Sequence, residues 1–218
     1  MNKGFTIKEE FYQTMRLPFL PKMSFYHVKT KNLVKFTSPQ DIVLDVGANV
    51  GEFAKRFVGT GCAIKCFEPN PVCIPLLNAL AKNNNIDVVP AAASTLDGDT
   101  SLYLHESNDS DPMLFSTGSS LLKQKVNIDH NNFVNVKTID LARYIHELNA
   151  PVRVLKVDIE GYEVNLMPYL LETGCLSKVS YVLVETHEKK NPFLRAPTEN
   201  MKELFRIKGF DRIDWDWI

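Results

Sequence analysis

Several things are missing from this chain, and each absence removes a class of protein. No apolar stretch reaches the length of a bilayer-spanning helix, so no membrane span is expected. Residues Met1 to Glu10 lack the apolar core of a secretion signal. The four cysteines, Cys62, Cys66, Cys73 and Cys175, have no C-x-x-C spacing and no paired histidines. They read as reduced, mostly buried apolar side chains rather than a zinc site, and the expected location is cytoplasmic. Nor is there a surplus of positive charge: 25 Lys and Arg against 26 Asp and Glu leave a net charge of −1. Nothing therefore drives binding to nucleic acid by counterion release, and no DNA or RNA partner is expected. What remains is ordinary for a globular protein: 218 residues, 44% apolar and 23% charged, enough for one full hydrophobic core.

A complete G-x-G-x-x-G loop is also absent, but something close to it is present. Val43-Leu44-Asp45-Val46-Gly47-Ala48-Asn49-Val50-Gly51-Glu52-Phe53 reads as a buried strand feeding a glycine turn that opens a helix, and Cys66-Phe67-Glu68-Pro69 follows. A carboxylate about twenty residues past such a turn ends a second strand beside the first, where a ribose diol would lie. Gly47 and Gly51 let the backbone come close to something. Asn49 stands where a dinucleotide fingerprint has its second glycine, and Glu52 adds an acid at the helix mouth, which disfavours a phosphate there. S-adenosylmethionine has the ribose and adenine, no phosphate, and a methionine end with both an ammonium and a carboxylate, which suits acidic and amide side chains. The candidate cofactor-binding residues are Asp45, Gly47, Ala48, Asn49, Gly51, Phe53, Glu68 and Pro69. The competing readings are an NAD-linked oxidoreductase on a Rossmann-like sheet and an ordinary tight strand–helix turn.

From Ile42 onward, predicted strands (42–46, 63–67, 86–90, 152–158, 179–184) alternate with helices, which calls for an α/β fold with a parallel sheet covered on both faces. Phe53 and Phe57 share one helix face, Pro71 starts a second helix carrying Ile74, Leu77 and Leu80, and a third runs over 140–148. Helical residues follow from Gly161, with Pro168 restarting the helix, and a last helix with Met201, Leu204 and Phe205 ends at Gly209. Small residues after the third strand leave room for a flat ring, so Ala91 and Ala92 join the cofactor candidates as adenine neighbours or as packed turn residues. Asp97-Gly98 turns between extended pieces, Leu102-Tyr103-Leu104 being the second, and 133–137 is another short strand. The polar stretch 105–120 is a candidate acceptor-binding loop or a surface excursion. Ile213, Trp215 and Trp217 alternate with Asp214 and Asp216 as in a half-exposed strand. Residues 1–40 form an aromatic appendage (Phe5, Phe11, Tyr12, Phe19, Phe25, Tyr26, broken by Pro18 and Pro21), either helices packed on the sheet edge or a lid or oligomer contact.

A second constellation ends the fourth strand. Val154-Leu155-Lys156-Val157-Asp158-Ile159-Glu160-Gly161 places Lys156 and Asp158 on one face, and a lysine in so apolar a strand needs a carboxylate partner. The fifth strand, next to the fourth, brings Glu185 and His187 near Asp158. Either Lys156, Asp158 and Glu185 form a structural ion network, or Asp158 and Glu185 flank an acceptor hydroxyl. In the second case they bind a divalent metal (Mg or Mn) or take the proton directly. His187 could be the base, since an unperturbed imidazole titrates near neutrality. Glu160 and Glu163 default to capping the following helix.

These residues resemble a known family. Val-Leu-Asp-Val-Gly-Ala-Asn-Val-Gly, Phe-Glu-Pro-Asn-Pro (67–71), Leu-Lys-Val-Asp-Ile-Glu-Gly-Tyr-Glu (155–163) and Val-Glu-Thr-His (184–187) are similar to the FkbM-type S-adenosylmethionine-dependent methyltransferases over about residues 41–210. The resemblance implies a class I methyltransferase domain (41–218), Rossmann-like, with a seven-stranded, mainly parallel sheet whose last strand is antiparallel. It also implies O-methylation of a sugar, glycan or polyketide hydroxyl. Asp45, Gly47, Asn49 and Gly51 would then surround the methionine end and Glu68 the ribose, while Asp158 would match a metal ligand of catechol-type enzymes. Lys156, Asp158, Glu185 and His187 are the candidate catalytic residues. A domain that binds cofactor without catalysis is the remaining alternative. Oligomeric state and acceptor identity have no signal in the sequence.

Overall fold

A computed structural model describes residues 30–215 and Trp217; the aromatic residues of the appendage, and Asp216, lie outside them. The runs Ile42–Val46 (β1), Val152–Val157 (β7) and Val179–Val184 (β8) are buried at every position. Strands apolar on both faces need cover on both faces, the signature of a parallel sheet between helices. Together with Ala63–Phe67 (β2), Ile86–Val89 (β3) and Ile213–Asp214 (β9) they form a six-stranded sheet in the order β3-β2-β1-β7-β8-β9. Every pairing in it is parallel. The described residues thus hold six strands of this sheet and no antiparallel edge strand, against the seven expected.

Period-2 alternation sorts the strand residues onto two cores. Leu44, Val46, Leu155, Val157, Val182 and Val184 face one side, packed on helices Leu141–Glu147 (α3), Glu163–Glu172 (α4) and Arg195–Ile207 (α5). Val43, Ile64, Val154 and Leu183 face the other, packed on Thr30–Lys35 (α1), Ile74–Ala81 (α2) and the 53–57 turn. Two buried polar residues lie on this second face: Asp45 and Lys156 are register partners across β1 and β7.

A second sheet, β4-β6-β5, stands beside the first. It consists of Ala91–Ser94 (β4), Gly98–His105 (β5) and Ile128–Asp140 (β6), with β4 parallel and β5 antiparallel to β6. Ala91 and Ala92 therefore sit in a strand rather than a turn. Pro90, which has no N–H to donate, ends the β3 pairing, and the chain crosses to the second sheet. The expected short strand 133–137 is the middle of a 13-residue one whose exposed polar positions hide its period.

Other expectations change in detail. The helix after β1 is a 3₁₀ turn, Ala54–Phe57, because Gly59 and Gly61, both at positive φ, end the segment within a few residues. Phe53 and Phe57 still share a face, with ring centroids 5.2 Å apart. Helix α4 runs through Pro168 instead of restarting at it. Burying Leu166, Met167 and Leu170, at about 1.5–3 kcal/mol each, outweighs the roughly 3 kcal/mol cost of the proline. At the C-terminus the chain bends after Asp214, so Trp215 packs on Phe205 and Trp217 on Phe53, on opposite sides of the sheet rather than one face. No helix among the described residues is long and apolar enough to cross a membrane.

Candidate active site

The carboxyl ends of β1, β2, β7 and β8 meet at one edge, and the glycine turn lies across it. Gly47 has φ +79°, and a Cβ there would lie 1.8 Å from the Asp158 carbonyl oxygen. At Gly51 (φ +85°) a Cβ would lie 2.6 Å from Leu80 Cδ2 of α2. What approaches these glycines is the protein itself. Every amide of the turn is also committed. Gly47 and Ala48 donate to the Phe67 carbonyl, Gly51 to that of Ala48, Val50 to the Asn49 side chain and Asn49 to Glu68. No turn amide is left to cradle a phosphate.

Glu68 is buried, its two carboxylate oxygens accepting from Asn49 N (2.7 Å) and Asn70 N (2.8 Å). Burial pushes its pKa up to about 7, against the pull of those two hydrogen bonds. Each oxygen keeps a lone pair that a hydroxyl can use. Above the turn opens a cleft of about 630 Å³. Gly47, Asn49, Phe67, Glu68 and Pro69 line it from the strand ends, and Ala92, Ala93 and Leu102 from the second sheet. The remaining walls are Ser116, Thr117, Ser119, Ser120 and Leu121 of the long loop, and Asp158, Ile159 and Glu160 beyond β7. The loop is tied down by Asn49 Nδ2 to Ser116 Oγ (2.9 Å), Ser120 Oγ to the Glu160 carbonyl (2.8 Å), and Lys125 Nζ to Glu160 Oε2 (2.6 Å). Asn49 and Glu160 both hold left-handed backbone (φ +48° and +56°), a conformation that collects at functional sites.

Beside the cleft lies a buried charge cluster. The Lys156 ammonium meets the Gly47 carbonyl at 2.5 Å, Asp45 at 3.2 Å and Asp158 at 3.4 Å. Burial opposes its charge, but the two carboxylates prevail and hold its pKa above the ordinary value. Burial raises the Asp45 carboxyl, with Lys156 pulling the other way. The amides of Asp158 and Glu185 continue the ladder past the strand ends, bonding Val46 and Val157 carbonyls, and this staggers the two acids side by side. Between them comes His187, 2% exposed. Its Nδ1 pairs with Glu163 Oε1 at 3.1 Å, and the other Glu163 oxygen accepts from Gly161 N. Nε2 faces Glu160, Asp158 and Glu185 at 3.5, 3.6 and 3.7 Å and has no hydrogen-bond partner. Burial would lower the His187 pKa, yet Glu160 and Glu163 raise it to about 10. That direction favours the charged ring. Glu160 is held down to about 2, despite burial, by His187 and Lys125. Burial and Asp158 raise Glu185, against His187.

Of the candidates, Gly47, Asn49, Glu68, Pro69, Ala92 and Asp158 line the cleft, whereas Ala48, Gly51, Phe53 and Ala91 do not. Ala48 and Phe53 belong to the core, Asp45 supports Lys156 beneath the turn, and Glu185 and His187 adjoin Asp158. Lys156 pairs with Asp45 as well as Asp158, a partner the strand alternation alone did not name. Glu160 does not cap a helix but pairs with Lys125, and Glu163 both accepts from Gly161 and braces His187. That second role joins residues 24 apart in the chain and leaves no sequence signal. Ser116 and Ser119 were not singled out either. The polar run ending in Thr117-Gly118-Ser119-Ser120 marked the loop, not which serines would reach Asn49 and Asn70.

The six-stranded parallel sheet with a second sheet beside it is an α/β fold consistent with a methyltransferase, and its cleft is acidic, lined by no lysine or arginine among the described residues. The model of the Methyltransferase FkbM domain matches residues 45–212, so the chain belongs to the FkbM methyltransferase family. A crystal structure of methyltransferase FkbM from Methylobacillus flagellatus KT is similar with a TM-score of 0.40 and 15% identity, over 63% of this chain and 30% of that one. This chain thus spans less than a third of that protein's length. No curated protein matches it.

Proposed function

We propose that the protein, through residues 41–218, is an S-adenosylmethionine-dependent O-methyltransferase acting on a hydroxyl of a sugar or glycan. The observation that carries this reading is the cleft's chemistry: among the described residues its polar lining is carboxylates, the Asn49 amide and hydroxyls, with no basic side chain, and no amide of the 47–51 turn is free. That suits a nucleoside with a cationic, phosphate-free end and disfavours the pyrophosphate of NAD. The cofactor supplies a methyl group already made electrophilic by its sulfonium. Glu68 offers acceptor lone pairs to ribose hydroxyls, and Ala92 and Ala93 leave space for a flat ring. The protein's remaining work is to align the acceptor oxygen and take its proton. Asp158 reaches the cleft and is held by Lys156, while Glu185, its basicity raised by burial, stands next to it. A neighbouring hollow of about 540 Å³ shares Thr117 and Glu160 with the cleft and is walled by His105 stacked on Phe115, centroids 4.8 Å apart. A flat platform with Asn127 beside it suits a sugar ring. The four thiols, all buried and unpaired, accord with a cytoplasmic home.

The test is transfer of a labelled methyl group from S-adenosylmethionine to a panel of sugars and glycans, run beside thermal-shift titrations of S-adenosylmethionine and NAD. Stabilisation by the first compound only, with label in an alkali-stable ether, supports the reading. Stabilisation by NAD alone replaces it with the oxidoreductase.

A further inference from the structure

We propose that Asp158, Glu185 and His187 form a binding site for one divalent first-row cation, with Glu163 as the outer carboxylate that orients the histidine. One ligand atom from each of the three lies within 4.8 Å of the others. The Nε2 atom is the least expected feature. It is buried, unbonded, and faces Glu160 Oε1, Asp158 Oδ1 and Glu185 Oε1 across gaps of 3.5, 3.6 and 3.7 Å, Glu160 being already paired with Lys125. Those gaps are too long for good hydrogen bonds, and a buried polar atom is rarely left unpaired. They are close to the separation of two donors on one ion: ligands bound tetrahedrally at about 2.1 Å lie about 3.4 Å apart.

The other ring nitrogen fits the same assignment. A metal-ligating histidine characteristically gives its second nitrogen to a carboxylate, and Nδ1 is paired with Glu163, itself fixed by Gly161 N. Charge agrees as well. Asp45, Asp158, Glu160, Glu163 and Glu185 bring five carboxylates to a region that holds three ammonium groups, those of Lys125, Lys156 and Lys190. The excess of carboxylates over ammonium groups favours a cation there. Nitrogen and oxygen donors together suit a first-row ion such as Mn²⁺. Asp158 and Glu185 are each about a quarter exposed, which leaves an entry path. Bound there, a cation would supply Lewis-acid polarisation to an oxygen in the cleft. That role rests on the methyltransferase reading, whereas the site itself does not.

The experiment uses Mn²⁺ as the probe, titrated into the chelator-stripped full chain without cofactor or acceptor and followed by loss of the six-line solution EPR signal. Expected is one saturable ion per chain, bound with Kd below about 1 mM. Asp158→Asn and Glu185→Gln should each weaken it at least about tenfold, and Glu163→Gln about 10–100-fold, all with unchanged circular dichroism. The exposed Asp97→Asn should leave it unchanged. No saturable binding, or equal binding in an Asp158→Asn/Glu185→Gln double variant, overturns the proposal. Methyl transfer that persists in chelator, together with absent Mn²⁺ binding, removes the site and leaves the methyltransferase. Mn²⁺ bound without methyl transfer to any acceptor removes the methyltransferase and leaves the site.

Discussion

Strands β1 and β7 carry buried charge at both ends, and the two ends are built differently. At the amino end Arg153 meets Asp41 through Nε and Nη2 at 3.2 and 3.1 Å, and Asp41 also accepts from Ser38 N and Oγ. Nothing points outward, and both side chains are nearly inaccessible. At the carboxyl end the same strands lead to Lys156, Asp158 and, across β8, His187 and Glu185, with gaps of 3.4–3.7 Å and an unbonded imidazole nitrogen. A buried ion pair that only holds strands together is closed by short, paired hydrogen bonds. A cluster left open beside a cleft is available to a ligand.

The contrast makes quantitative claims. Arg153→Met leaves Asp41 buried without its partner and should destabilise the protein by about 3–5 kcal/mol in urea unfolding, with cofactor affinity unchanged in the folded fraction. Asp158→Asn should do the reverse, lowering turnover about 10²–10⁴-fold while shifting stability by less than about 1 kcal/mol. A similar unfolding penalty in both would erase the distinction. Gly47→Ala forces a methyl into the Asp158 carbonyl and should cost more than about 2 kcal/mol, read as a lower urea midpoint.

Acidity separates the ends too. His187 has its folded pKa raised from 6.5 to about 10, so in chelator-treated protein its contribution is complete below pH 6.5 and disappears as pH climbs towards 10. Thermal melts of wild type should decline across that window, and His187→Gln should flatten the decline. The smallest effect belongs to the surface. Asp97→Asn breaks an exposed pair with Arg143, and the melting temperature should not move measurably.

How much of this was legible beforehand follows from the range of the forces involved. Five of the six strands of the main sheet were visible as apolar runs, most plainly β1, β7 and β8, because burial on both faces writes itself into consecutive residues. Asp158 and Glu185 could be brought together from strand order alone, and Glu68 placed from its spacing after the turn. The second sheet was not legible as a sheet, since β6 is half exposed and its polar positions blur the alternation. Nor were Glu163 behind His187 or Ser116 on Asn49, which depend on contacts between segments far apart in the chain. The roles of Gly47 and Gly51 were half legible: a close approach of the backbone was expected, but the neighbours that forbid a Cβ are Asp158 and Leu80, not a ligand.

The central claim is that the cleft over the glycine turn holds S-adenosylmethionine by its ribose at Glu68, with Asp158 facing the acceptor. Calorimetric titration of S-adenosylmethionine into wild type, Glu68→Gln and Asp158→Asn tests it directly. One site per chain is predicted, weakened at least about tenfold by Glu68→Gln and left near the wild-type affinity by Asp158→Asn. No binding to wild type, or equal weakening in both variants, would contradict it.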